Sequence, residues 1–197
     1  MIKLILQSIR QTLLWTVLCG VLYPVVITVI AQVAFHDRAE GSLVMRDGKL
    51  VGSELLAQQF TDPKHFWSRP SAASFGTGPS GIAGSSGSNL GPTSAQLQTN
   101  VRTAAKALRD AHKLPADAPV PADLVYASAS GLDPHISPEA ARFQVARVAA
   151  ARGMGEDQLR ALVEKFIEPP QWGFLGEARV NVLLLNLAVD AADTKKP

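Results

Sequence analysis

The sequence predicts an α+β protein: a single N-terminal transmembrane helix followed by one soluble mixed α/β domain. Three observations carry this. Residues 12–35 contain no Asp, Glu, Lys, Arg or His. An Asp-Gly pair at 47–48 stands between two short apolar runs. Later segments, opened by capping residues, repeat apolar side chains at helical spacing. The expected division is 1–36 for a cytoplasmic N-terminus with the membrane helix, and 37–197 for a soluble extracytoplasmic domain.

A helix over residues 12–35 would be about 36 Å long, against a hydrocarbon core of about 30 Å. A lone segment inside lipid must satisfy its own backbone N–H and C=O groups, so it must be helical. Lys3 and Arg10 precede it, while Asp37, Arg38 and Glu40 follow. Positive charge stays on the cytoplasmic side, which places the N-terminus inside and the domain outside. The rival reading is a cleaved signal peptide ending at Val29-Ile30-Ala31, but the apolar run is about twice the length of a usual signal core. Ser8, Thr12, Thr16 and Gly20 recur every four residues, and Pro24, Thr28 and Gln32 continue the series. Small and hydroxyl residues along one ridge let membrane helices approach closely, so Thr12, Thr16, Gly20 and Pro24 are the expected helix-packing residues. The plainer alternative is that any membrane helix tolerates them. Pro24 lacks a donor and crowds the carbonyl of Gly20, so a local kink is expected there.

Composition narrows the rest. The chain has 197 residues and a formal charge of +2. Removing Lys3 and Arg10 from its 19 basic residues leaves 17, matched by 17 acidic ones. No basic excess remains for a nucleic-acid backbone. Cys19 is the only cysteine and falls within the apolar stretch, which excludes an internal disulfide and a cysteine-based metal site. About 160 residues after the anchor are enough for one compact core.

In chain order, Asp47-Gly48 predicts a hairpin, because both central residues of that turn need positive φ. Gly52-Ser53 is expected to cap a short helix to Gln59. Phe66-Trp67 beside Arg69 reads as core or interface packing more readily than as a ligand platform. Residues 73–92 form a Gly/Ser-rich loop, with neither a P-loop Gly-Lys-Ser/Thr nor a G-x-G-x-x-G before a helix. Ser88, Asn89, Leu90, Gly91 and Pro92 close it with turn residues and form the expected partner-contact loop. Thr93 or Ser94 caps a helix to about His112, its stripe being Leu97, Val101, Ala104, Ala105 and Leu108. Residues 124–128 are expected to form a strand.

Ser130, Asp133 and His135 lie within six positions. A catalytic triad needs its side chains aligned in space, which sequence neighbours seldom achieve, and G-x-S-x-G is absent. Asp133, Pro134 and His135 read better as a structural turn, with Ser137 capping and Pro138 opening the next helix. That helix is expected to stop at Gly153, with Gln144, Arg147 and Arg152 as its projecting polar groups. A second helix is expected over 156–168, a loop with aromatic anchors over 172–175, then a strand at 179–182 entering a last helix to about Ala191. Asn181 is its expected cap.

At these residues the chain resembles the C subunit of the bacterial potassium-transporting P-type ATPase, the Kdp complex. The carriers are Leu22-Tyr23-Pro24 in the anchor, Gly52-Ser53, Phe66-Trp67-Ser68-Arg69-Pro70-Ser71-Ala72, Ser88-Asn89-Leu90-Gly91-Pro92-Thr93, the run 130–138, Arg179-Val180-Asn181-Val182 and Leu185-Asn186-Leu187. The family pattern has Gly where this chain has Ala57, Ser86 and Ala129, and Thr where it has Tyr126. The resemblance implies a non-catalytic subunit in the inner membrane with a periplasmic domain. It would join a potassium channel-like subunit and an ATP-hydrolysing subunit, and act as a catalytic chaperone that raises ATP affinity of the latter. It also implies that Gln144 is the nucleotide-linked residue. No cofactor or metal is expected to bind stably; ATP would be met only in a site shared with the hydrolysing subunit. The charge bias opposes direct contact, because it puts the domain outside while ATP is inside. An alternative is an outer domain that caps the potassium entrance and braces the large subunits. Rivals from other classes are a membrane-tethered extracytoplasmic hydrolase using Ser130, Asp133 and His135, and a free-standing anchored binding module.

Overall fold

In a computed structural model of the chain, residues 1–73 and 84–193 are described. Ser74, Gly76, Gly78, Ser80 and Gly81 of the expected loop lie outside the described residues. The architecture is α+β, and the chain divides into two compact units, Met1–Val51 and Gly52–Pro197.

The first unit begins with α1 (Ile2–Val17), a five-residue π-helical turn (Leu18–Leu22) and α2 (Tyr23–Ala34), which run on as one helix, Ile2–Ala34. It is long and apolar enough to cross a membrane, and none of its most apolar stretch is buried within the protein. The distortion expected at Pro24 takes the form of the π turn directly before it. Tyr23 N–H bonds to the carbonyl of Leu18, five residues back. A proline beside the widened turn has no N–H to lose from it. The short α3 (His36–Ala39) follows, then β1 (Leu43–Arg46) and β2 (Lys49–Ser53). Asp47 at φ 51° and Gly48 at φ 72° make the predicted tight turn between these strands.

The expected helix from Ser53 to Gln59 is absent. Ser53 ends β2, and its hydroxyl accepts Leu55 N–H in a local turn. The chain then runs on extended: Ala57 N–H bonds Leu132 O, and Gln58 O accepts the Ser68 hydroxyl. Those distant partners outweigh one turn of local helix.

The second unit is built around α5 (Pro138–Arg152), whose Ala140, Ala141, Val145, Val148 and Ala149 are buried. Against it pack α4 (Ala95–His112), α6 (Glu156–Lys165) and β5 (Arg179–Asn181). α7 (Val182–Asp193) completes the helical layer. β3 (His135–Ile136), β5 and β4 (Ile167–Glu168) form an antiparallel sheet in that order. Central Val180 stands opposite both Ile136 and Ile167 and is fully buried. Caps act as the sequence implied. Ser94 accepts from Leu97 N–H, Ser137 from Ala140 N–H, and Asn181 from Leu184 N–H. Gly153 stops α5 in the left-handed conformation at φ 61°.

Three further expectations need correction. Residues 124–128 are not a strand: a 3₁₀ turn (Ala122–Leu124) occupies the start, and both Val125 and Tyr126 N–H groups return to Ala122 O. Helix α6 ends at Lys165 rather than at 168, because Ile167–Glu168 are recruited to pair with Val180 and Arg179. The aromatic loop at 172–175 is not anchored: Trp172 is 78% and Phe174 74% exposed.

Candidate functional site

The segment 62–69, a turn at 62–65 that continues as irregular chain from Phe66, lies between α5 and α7 and is held through its backbone. Phe66 is fully buried. Its N–H donates to Asn186 Oδ1 at 2.7 Å, and its carbonyl accepts from Asn186 Nδ2 at 3.0 Å. The next residue repeats the arrangement with the other helix. Trp67 N–H donates to Gln144 Oε1 at 2.7 Å, and Trp67 O accepts from Gln144 Nε2 at 3.1 Å. Each carboxamide presents the donor and acceptor of a peptide group, so two side chains replace two missing strand neighbours. Gln144 is fully buried and Asn186 is 1% exposed. Neither Phe66 nor Trp67 can keep its backbone paired there without them.

Arg147 completes the grip from the next turn of α5. Nη2 donates to Gln144 Oε1 at 2.7 Å and to His65 O at 3.0 Å, and Nη1 donates to Pro63 O at 2.6 Å. Its guanidinium lies 4.1 Å from the centroid of the Trp67 ring, a cation–π contact. Nε donates to His112 Nε2 at 3.2 Å, so that nitrogen is the lone-pair side of a neutral ring. Burial, together with the Arg147 charge, lowers the His112 pKa to about 4. Burial lowers Arg147 to about 10, with Asp62 acting the other way, and it stays cationic at neutral pH. Arg152 extends the clamp, donating to Lys64 O at 2.5 Å and to Asp190 Oδ1 at 2.6 Å. Asp190 also meets His65 Nε2 at 3.2 Å. Its carboxyl lies below the usual range: burial pushes the other way, but Arg152 and His65 prevail.

The polar groups of α5 expected to project therefore point inward. Gln144 has no solvent-facing end: its oxygen serves Trp67 and Arg147, and its nitrogen serves Trp67.

The second cluster sits at the turn before β3. Asp133 Oδ1 accepts His135 N–H at 3.0 Å, and Oδ2 accepts from Arg69 Nη1 at 2.9 Å. His135, then burial in the opposite sense, then Arg69 set the Asp133 carboxyl below its ordinary range. Ser130 Oγ accepts Leu132 N–H at 3.1 Å, and no hydrogen bond joins it to His135 among the described residues. Pro134 O accepts Val182 N–H, tying the turn to the start of α7. Among the described residues, no group of three or more His, Cys, Asp or Glu could hold a metal.

Against this turn lie Ser85 and Ser86 of the Gly/Ser loop. Ser86 N–H and the Ser85 hydroxyl both donate to Ser130 O. Gly131 is at φ 69°, and a Cβ there would stand 2.6 Å from Ser86 O and 2.7 Å from Ala73 Cβ, so only glycine fits. Beyond the stitch, Ser88, Asn89, Gly91 and Pro92 are exposed and Leu90 half-buried, with Asn89 at φ 52°. Thr12, Thr16, Gly20 and Pro24 lie exposed on the long N-terminal helix.

Sequence reasoning passed over Asn186, His112 and the inward role of Arg147. The signal for Asn186 was available: a lone amide within Val182-Leu183-Leu184-Leu185-Asn186-Leu187 marks a buried polar group in need of partners. His112 and Arg147 gave none, because both are common on exposed helix faces.

The family model "KdpC: K+-transporting ATPase, c chain" matches residues 5–191. The chain is similar to the potassium-transporting ATPase KdpC subunit of Methylococcus capsulatus, 50% identical over 93% of this chain and 95% of that protein. The KdpC subunits of Polaromonas naphthalenivorans, at 55% identity over 89% and 88%, and of Sorangium cellulosum, at 54% over 91% and 93%, are similarly close.

Proposed function

This chain belongs to the family of the potassium-transporting ATPase C subunit, and we propose that it serves such a complex as a non-catalytic, membrane-anchored brace. Its long helix would pack through the Thr12, Thr16, Gly20 and Pro24 ridge against the channel-like and ATP-hydrolysing subunits of an inner membrane. Its soluble unit would stand outside, with the loop at Ser88–Pro92 meeting a partner near the potassium entrance. One observation carries the choice of mechanism: both ends of the Gln144 amide are consumed by Trp67 and Arg147. A residue so engaged positions the 62–69 segment; reaching a nucleotide would orphan Trp67 N–H and C=O.

The catalytic-chaperone reading makes the opposite claim about Gln144. Potassium-stimulated ATP hydrolysis by the intact complex separates them. With Gln144→Ala, the brace reading expects lower thermal stability and lower complex yield, with the KM for ATP of the surviving complex unchanged. A KM for ATP raised severalfold in a complex of normal stability would support the chaperone reading and sink the brace.

A further inference from the structure

Between Glu168 and Glu177 lies a charge-free octet, Pro169-Pro170-Gln171-Trp172-Gly173-Phe174-Leu175-Gly176. It is not a slack loop. Gln171 and Leu175 pair across it, Leu175 N–H returning to Gln171 O and Gln171 N–H to Leu175 O, each at 2.9 Å. Gly173 N–H bonds Pro170 O at 2.9 Å. Trp172 itself takes the left-handed conformation at φ 55°, followed by Gly173 at φ 84° and Gly176 at φ 81°. The result is a short closed turn, with the N–H groups of Gln171, Gly173, Phe174 and Leu175 bonded within it and its apolar side chains exposed. Trp172 is 78%, Phe174 74% and Leu175 44% exposed. Among the other exposed large apolar residues of the second unit, Leu114 and Tyr126 occur singly, and Leu55 and Leu56 stand side by side with no aromatic beside them. Singly exposed residues are ordinary, whereas two aromatics and a leucine on one tip are not.

We propose that this tip is a membrane-dipping prong that inserts Trp172, Phe174 and Leu175 into the interfacial layer of the bilayer that carries the N-terminal helix. The inference rests on the membrane-anchor reading of that helix. Three features favour lipid over a protein groove. Trp172 is a side chain that settles at the membrane–water boundary, its aromatic body buried and its indole N–H wet, and Phe174 and Leu175 add apolar surface beside it. No charged side chain lies within the octet, so insertion strands none in hydrocarbon. At the base, Arg179 Nε donates to Glu168 Oε2 at 2.9 Å, which neutralises one of the two glutamates that bound the octet and leaves the charge of exposed Glu177 at its edge rather than within it. Three apolar side chains are also far short of the roughly 800 Å² a side that a stable protein contact covers. A covalent tether supplies what so small a prong lacks, because it keeps the bilayer at high effective concentration.

The test uses the full chain in vesicles of phosphatidylcholine in which spin-labelled lipids quench a nearby fluorophore: labels near the headgroup read positions 174 and 99, and labels deep in the acyl chain read position 19. Cys19→Ser with Phe174→Cys places the dye beside the retained Trp172. Cys19→Ser with Thr99→Cys places it on the exposed face of α4. The native Cys19 reports whether the helix itself is in lipid. The expected result is strong quenching at 19 and at least threefold more quenching at 174 than at 99. Serine at Trp172 and Leu175 in the 174-labelled chain should bring quenching at 174 down to the level at 99. Quenching at 19 with equal values at 174 and 99 overturns the prong while leaving the anchor intact. Loss of quenching at 19 overturns the anchor and the prong with it. The same dyes in the assembled complex exclude the remaining alternative: shielding at 174 that needs the other subunits and brings no lipid quenching would assign the tip to a protein partner and overturn the proposal.

Discussion

At the residue scale the account turns on two amides and a histidine. Gln144 and Asn186 do the same work from two helices, on neighbouring residues of one strand-like segment. Truncating either to alanine leaves a buried backbone N–H and C=O unpaired, so each variant should lose about 2–3 kcal/mol in urea denaturation of the folded chain. Since Phe66 and Trp67 move as one piece, the double variant should depart from additivity by at least about 0.5 kcal/mol. His112 supplies a pH dependence of definite sign. Its folded pKa of about 4 lies below its ordinary value, so the unfolded chain binds the extra proton between those two values. Stability should therefore fall as pH drops from about 6.5 toward 4. Asp133 and Asp190, whose carboxyls are depressed, add their own loss at the acid end. His112→Gln keeps an acceptor for Arg147 but cannot titrate, and should flatten the upper part of that acid limb. An unchanged limb would mean that folding does not lower the His112 pKa.

At the scale of elements, what was legible followed from local chemistry. The Asp47-Gly48 turn, the Ser94, Ser137 and Asn181 caps and the Gly153 stop are set by the residue and its immediate neighbours. Ser137→Ala should cost about 1 kcal/mol of stability, the usual price of a cap. The misread segments are those whose conformation answers to something far away. Residues 53–59 look like a capped helix until Leu132 O takes Ala57 N–H. Ile167 continues the stripe of α6 until Val180 offers it a strand partner. The buried network was the least legible part of the site, since its members come from four separate stretches. The N-terminal helix makes a different prediction. A Cβ at Gly20 meets nothing within 4 Å in this chain. Leucine at Thr12, Thr16 and Gly20 should therefore leave the soluble unit's unfolding unchanged and lower recovery of the other subunits on affinity purification. Full recovery would make the ridge ordinary membrane-helix composition.

At the scale of the whole molecule, the competing classes part on what the Ser130, Asp133 and His135 cluster does. Asp133 is shared between Arg69, the His135 backbone and the His135 ring at 3.6 Å, while Ser130 is held in its own turn with no hydrogen bond to that ring among the described residues, which is the pattern of a scaffold. His135→Ala should lower assembly or potassium uptake of the complex, and no esterase or peptidase activity should vanish with it. The brace account also places the soluble unit on the opposite side of the membrane from ATP. Protease accessibility in spheroplasts and in inverted vesicles tests that placement most directly. The account predicts digestion of the 52–193 unit from outside in spheroplasts and protection in inverted vesicles. Protection in spheroplasts with digestion in inverted vesicles would contradict it, reverse the charge argument from Lys3 and Arg10, and bring Gln144 to the same side as the nucleotide.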